Sequence, residues 1–174
     1  MGRRNARRLA LALVALAGCV VNLSFDLDQP GIALITPTSG SASQSLLVDL
    51  GNSQDVRAHQ KDIRSLDLDS ADVTMTEVKA DNLATKLSLT LWLRKDFADP
   101  PANDVKVADV QDFTVARQAT RRIPGNPAVD AFLLERLQNG GKFYLIVSGT
   151  TDNKTDLVLD VNLHASMGYD SGLF

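Results

Sequence analysis

The sequence predicts an all-β fold, an antiparallel β-sandwich of about seven strands with one inserted α-helix at about residues 127–138. Several short runs alternate apolar and polar residues, which places every second side chain on one face of a sheet. Turn-forming residues separate these runs, as expected for strands joined by short antiparallel connections. The strongest helical signal is the single segment with apolar residues at three- and four-residue spacing.

The clearest strand is predicted at residues 86–93, where leucine occupies every second position. Similar runs occur at residues 46–50 and 157–163, and further strands are predicted at residues 105–115 and 143–147. These runs supply most of the two inner faces of the sandwich.

Between residues 63 and 78 the apolar residues change parity, from Leu66 and Leu68 to Val73 and Met75. One inserted residue near Ser70 would explain the change. The pattern therefore predicts either one bulged strand or two short strands.

The helix is predicted from its two ends and its apolar stripe. Asn126 is a good N-cap and Pro127 is tolerated in the first turn, while Gly140 and Gly141 allow the positive φ that ends a helix. The stripe indicates that the helix packs on another element, and it consists of Val129, Phe132, Leu133 and Leu137. A weaker, mostly charged helical turn is predicted near residues 54–63.

The first seventeen residues have the pattern of an export signal. Four arginines and no acid occur in residues 1–8, and residues 9–17 are wholly apolar. A helix that crosses a bilayer needs about 20 apolar residues, so this run is too short to remain as a membrane span.

The apolar run ends in Leu16-Ala17-Gly18-Cys19, which resembles the lipobox of bacterial lipoproteins. The resemblance implies that Cys19 receives a diacylglycerol on its sulfur, that cleavage precedes Cys19, and that the new amino group is acylated, for example with palmitate. The membrane would then be a partner through covalent lipid. Val20 follows the cysteine where inner-membrane retention favours aspartate, so an outer-membrane location is expected rather than an inner-membrane one. The alternative is an ordinary secretory signal in which Cys19 is only a small apolar residue.

These features predict a signal peptide at residues 1–18, a lipidated N-terminus and tether at residues 19–31, and a single sandwich domain at residues 32–174. Removal of the signal leaves fourteen basic and twenty-one acidic residues, a net charge of about −7. Such a surface repels phosphate backbones, so no nucleic-acid partner is expected. Cys19 is the only cysteine, so no disulfide and no thiolate metal site are expected.

The polar residues show no catalytic, metal-binding or cofactor motif. The acidic segment from Asp67 to Asp72 lacks the glycine and glutamate spacing of a calcium loop. His59 and His164 are far apart with no motif around either, and no Gly-x-Ser-x-Gly nucleophile motif occurs. The sequence therefore predicts a protein that is not an enzyme and has no catalytic residue, metal or cofactor.

One set of residues breaks the expected polarity of the strands. Trp92, Tyr144, Ile146 and Val158 fall on the side opposite the main apolar row of their strands. If these strands are neighbours, the domain has a second apolar surface. It would either be covered by the helix at residues 127–138 or stay exposed as a surface that binds a protein partner in the envelope.

The predicted function is that of a membrane-anchored envelope lipoprotein, acting as a non-enzymatic interaction or structural module. The alternative is a carrier that holds a small apolar ligand or a lipid between its sheets. A pocket lined by the alternating leucines would favour the carrier.

Overall fold

Two four-stranded antiparallel sheets face each other across a leucine-rich core in the computed structural model, which describes residues 20–171. The predicted signal peptide and Cys19 lie outside the described residues. The strands are β1 (Val20–Thr36), β2 (Gly40–Asp49), β3 (Ile63–Val78), β4 (Lys86–Arg94), β5 (Val105–Thr114), β6 (Thr120–Pro124), β7 (Lys142–Thr151) and β8 (Thr155–Asp170). The helices are α1 (Gln54–His59) and α2 (Pro127–Gln138).

The strand order is 1-8-3-6 in sheet A and 2-7-4-5 in sheet B. Consecutive strands lie in different sheets except for β4 and β5, which pair with each other in sheet B, and this is the double Greek-key order of a jelly roll. The predicted all-β sandwich with one long inserted helix is therefore confirmed, with eight strands in place of about seven.

The core consists of the inward-facing residues of both sheets. Leu87, Leu89, Leu91 and Leu93 of β4 are at most 2 % exposed, and Phe143 of β7 is fully buried. Their polar neighbours in sequence lie on the outer faces, as the period-two pattern predicts.

The parity change predicted near Ser70 is a register shift in β3. The pairing of β3 with β8 shifts between Leu68 and Ser70, so one bulged strand accommodates both apolar sets. Leu66 and Val73 consequently both point into the core, with 1 % and 0 % exposure.

Helix α2 has the predicted bounds and caps. The Asn126 side chain accepts hydrogen bonds from the backbone N–H groups of Ala128 and Val129, at 3.1 and 3.2 Å. Gly140 and Gly141 follow the helix with φ of +98° and +76°, which glycine adopts without a Cβ clash.

Helix α2 packs against the inner side of the sandwich. Its Phe132 ring meets the Phe143 ring edge-on, with centroids 5.7 Å apart. Asp130 accepts a hydrogen bond of 2.8 Å from the backbone N–H of Leu68 in sheet A. The helix therefore contacts both sheets through core-facing residues.

The predicted tether at residues 19–31 is wrong from Val20 onward. These residues form the first part of β1, which pairs with β8 from Val20 opposite Asp170. Phe25 and Leu27 are buried, because they alternate with polar residues that face outward. The sandwich therefore includes residues 20–31, which the sequence pattern had assigned to the tether.

Candidate functional site

Three of the four residues predicted to form a second apolar surface lie together on the outer face of sheet B, whereas Val158 is on β8 of sheet A, so its predicted place on this surface is wrong. Trp92 of β4 and Ile146 of β7 are direct cross-strand partners, and Tyr144 lies two residues along β7, opposite Arg94. Directly paired residues of antiparallel strands point to the same side of a sheet. Ile146 is 7 % exposed, whereas Trp92 and Tyr144 are half-buried.

Helix α2 does not cover this surface. The helix contacts Phe143, which lies on the core side of β7, and Tyr144 next to it points to the opposite side because side chains alternate along a strand. Of the two alternatives for Trp92, the covering helix is thus contradicted by the position of α2.

Two exposed apolar side chains extend the surface. Leu47 of β2 is the cross-strand partner of Tyr144 and is 55 % exposed. Phe97, in the loop after β4, is 66 % exposed, and its ring centroid lies 5.6 Å from that of Tyr144. We call Leu47, Trp92, Phe97, Tyr144 and Ile146 the aromatic face.

The charged groups beside the aromatic face are paired with one another. Arg94 makes a bidentate pair with Asp104, at 2.7 and 2.8 Å. The ammonium of Lys106 lies 5.2 Å from the Trp92 ring centroid and 2.5 Å from Asp109 Oδ2. The hydrogen bond from Lys106 lowers the pKa of Asp109 and so favours the charged carboxylate beside the ammonium.

The outer face of sheet A has the opposite character, because it is rich in carboxylates. His164 of β8 lies between two of them, with Nδ1 2.7 Å from Asp26 Oδ1 and Nε2 3.2 Å from Asp72 Oδ2. Asp72 also pairs with Arg122 of β6. The aspartates on this face are Asp26, Asp28, Asp67, Asp69, Asp72, Asp156, Asp160 and Asp170.

This network explains the pKa shifts on sheet A. The hydrogen bond with Asp26 raises the pKa of His164, against a smaller opposing effect of burial. The hydrogen bonds from Arg122 lower the pKa of Asp72. Both shifts favour the charged forms, so the network links all four strands of sheet A through ionised side chains.

The acidic segment and the histidines are not gathered into a metal site in residues 20–171. Asp69 accepts a hydrogen bond from Ser166, and His59 stacks on Tyr169 with ring centroids 3.8 Å apart. Within the described part of the chain, no group of three potential metal ligands is suitably placed. The same residues include no helix with the length and hydropathy needed to span a bilayer.

The leucines that would line a carrier cavity pack into the core. Leu145, Leu157 and Leu159 are fully buried within one hydrophobic cluster. A groove of about 510 Å³ lies instead between β5 and β6, and its lining combines Ile123 with polar side chains such as Arg121. The carrier alternative expects a leucine-lined pocket between the two sheets, and in residues 20–171 this groove does not lie there.

Sequence reasoning missed two parts of these surfaces. Phe97 lies in a loop, where a single aromatic residue gives no periodic signal. The His164 network depends on Asp26, which is 138 residues away in sequence, and only the pairing of β1 with β8 brings them together.

Comparisons with known proteins give no family. Neither a family model nor a curated protein sequence matches the chain. Among solved structures, the chain is similar to one from Desmodium yellow mottle tymovirus, with 10% identity and a TM-score of 0.37 over 96% of this chain and 97% of that one. It is also similar to a decameric capsid protein of BFDV, with 11% identity and a TM-score of 0.39 over 86% and 98% of the two chains. A structure from turnip yellow mosaic virus gives 15% identity and a TM-score of 0.35 over 91% and 98%.

Proposed function

We propose that this chain is an exported lipoprotein of the bacterial envelope, anchored by lipid on Cys19, whose β-sandwich is a non-enzymatic interaction module. The observation that carries the proposal is the lipobox-like segment Leu16–Cys19 at the end of a short apolar run. A cut before Cys19 would leave strand β1, Val20–Thr36, intact. The outer membrane is the proposed location.

The proposed contact surface of the module is the aromatic face. Soluble domains rarely expose contiguous apolar patches without a binding role, and Leu47, Tyr144 and Phe97 form such a patch. All of its residues except Phe97, which lies in the loop after β4, are on regular strands of sheet B, whose core side is tightly packed.

Replacement of the proposed lipid acceptor tests the anchor. Cys19→Ser should leave the precursor uncut and without label when cells are grown with radioactive palmitate. Gly18→Ala keeps a small residue before the cut and should behave as the parent chain does. The proposal fails if Cys19→Ser is processed normally or still incorporates the label.

A further inference from the structure

The first strand fixes how far the domain can lie from its proposed anchor. β1 begins at Val20, one peptide bond after Cys19, and it is paired with β8 from its first residue. Consecutive Cα atoms are about 3.8 Å apart. A lipid on Cys19 would therefore hold the end of sheet A directly against the bilayer, with no tether between them.

The domain is elongated along this strand. β1 has 17 residues and spans up to about 55 Å at about 3.3 Å per residue. A domain of this length that is fixed at one end can rest along the bilayer on one of its two broad outer faces, so the chemistry of those faces decides between them.

The outer face of sheet A is unsuited to a lipid surface. Its aspartates would have to lose water, and they would be repelled by anionic head groups. Its exposed apolar side chains, Val20 at 58 % and Ile35 at 63 %, lie near opposite ends of β1 and form no patch.

The outer face of sheet B is suited to the boundary between head groups and acyl chains. Leu47 and Phe97 are exposed and contiguous with Tyr144, and tryptophan and tyrosine favour sites with one apolar and one wet side. The nearby basic groups of Arg94 and Lys106 are paired with Asp104 and Asp109, so these two pairs can meet the head groups without a net charge.

We infer that the partner of the aromatic face is the bilayer itself, so that the domain rests along the membrane on sheet B and turns the acidic face of sheet A toward the solvent. This inference rests on the proposed lipid anchor. It assigns Phe97 and Leu47 as the side chains that reach deepest into the lipid interface.

Fluorescence quenching by brominated lipid tests the orientation with the full lipidated protein. Trp92 is the only tryptophan, so Trp92→Phe gives a background without tryptophan. Phe97→Trp and Ser24→Trp on this background place one exposed reporter on each outer face, both toward the end of the sandwich that carries Val20. Each protein is reconstituted into vesicles of phosphatidylcholine with brominated acyl chains and into matched unbrominated vesicles.

The expected result is a large loss of fluorescence for Phe97→Trp in the brominated vesicles and a much smaller loss for Ser24→Trp. Equal quenching of the two reporters, or stronger quenching at position 24, would overturn the orientation. Quenching of neither reporter, with the protein still floating with the vesicles, would overturn it as well and leave the aromatic face free for a protein partner. A protein that does not float with the vesicles would instead show that the anchor is absent, which is the separate failure of the proposed function.

Discussion

His164 of β8 and Asp26 of β1 are joined by a hydrogen bond of 2.7 Å, although 138 residues separate them in sequence. The other ring nitrogen of His164 faces Asp72 at 3.2 Å. Only the imidazolium form can donate from both nitrogens to two carboxylates. The charged form of His164 therefore strengthens the attachment of the edge strand β1 to sheet A.

The network predicts a pH-dependent contribution to stability. Since the folded-state pKa of His164 lies above its usual 6.5, its contribution is present below about pH 6.5 and is lost as the pH rises through the folded-state value. The contribution of Asp72 is present above its usual 3.8 and is lost as the pH falls through its lowered pKa. His164→Asn should thus lower the free energy of unfolding most between about pH 3.8 and about pH 6.5. The loss should be about 1 kcal/mol or less, because the side chains of the network are partly exposed.

Urea unfolding of the parent chain and of His164→Asn, at about pH 5.5 and about pH 9, measures this loss. The free energy of unfolding depends on pH because the folded and unfolded states bind different numbers of protons. The gap between parent and variant should shrink at the higher pH. Asp26→Asn serves as the control, because it removes the nearer carboxylate and should reproduce the same trend. A gap of equal size at both pH values would contradict the ionised network.

Gly125 is expected to tolerate no side chain. A Cβ at this position would lie 1.5 Å from the carbonyl oxygen of Leu68, so Gly125→Ala must displace the backbone where α2 joins sheet A. The free energy of unfolding should fall by several kcal/mol, about 4 or more. Thermal unfolding measures the loss, and Gly40→Ala is the matched control because a Cβ there meets nothing within 4 Å. Similar melting temperatures for the two variants would show that Gly125 does not pack as closely against the Leu68 backbone as described.

The N-cap of α2 is expected to stabilise both the helix and a strand edge. Asn126 caps two N–H groups of α2 and donates from Nδ2 to the carbonyl oxygen of Val107, at 3.1 Å. Asn126→Ala should lower the free energy of unfolding by about 1 to 2 kcal/mol. Chemical denaturation measures this, with the exposed Gln138→Ala on the same helix as the control. An Asn126→Ala variant as stable as Gln138→Ala would argue against the cap.

The aromatic face is a surface feature, so its exposed members should matter little for folding. Leu47→Ser should change the free energy of unfolding by less than about 0.5 kcal/mol, because Leu47 is 55 % exposed. Phe143→Ala, on the core side of the neighbouring strand, should cost about 3 to 5 kcal/mol. Denaturant titrations of the two variants compare these values, and a comparable loss in both would mean that Leu47 belongs to the core.

The elements that could be predicted from sequence are those with a local signal. Alternation in β4, the parity change at Ser70 and the caps of α2 each lie within one segment, and all three are present in the structure. β1 has the same alternation at Leu23, Phe25 and Leu27, but its aspartates and Pro30 are also typical of a linker. Only the pairing with β8 shows that this segment is a strand. β6 is five residues long and has one buried apolar residue, Ile123, which is too little for a periodic signal.

The candidate site could be predicted only in part for the same reason. The parity of Trp92, Tyr144 and Ile146 placed them on one face, yet only the pairing of β4 with β7 makes them neighbours. The contribution of Phe97 depends on the path of a loop, and the separation of an acidic face from an aromatic face depends on the strand order of both sheets. These are long-range pairings, which no local pattern specifies.

The intact mass of the mature protein purified from membranes tests the central claim most directly. The account predicts a chain that begins at Cys19 and is heavier than its amino-acid sequence by a diacylglycerol and an amide-linked acyl chain, with the added mass confined to the N-terminal peptide after proteolysis. A chain that starts at another residue, or a Cys19 with a free thiol, would contradict it.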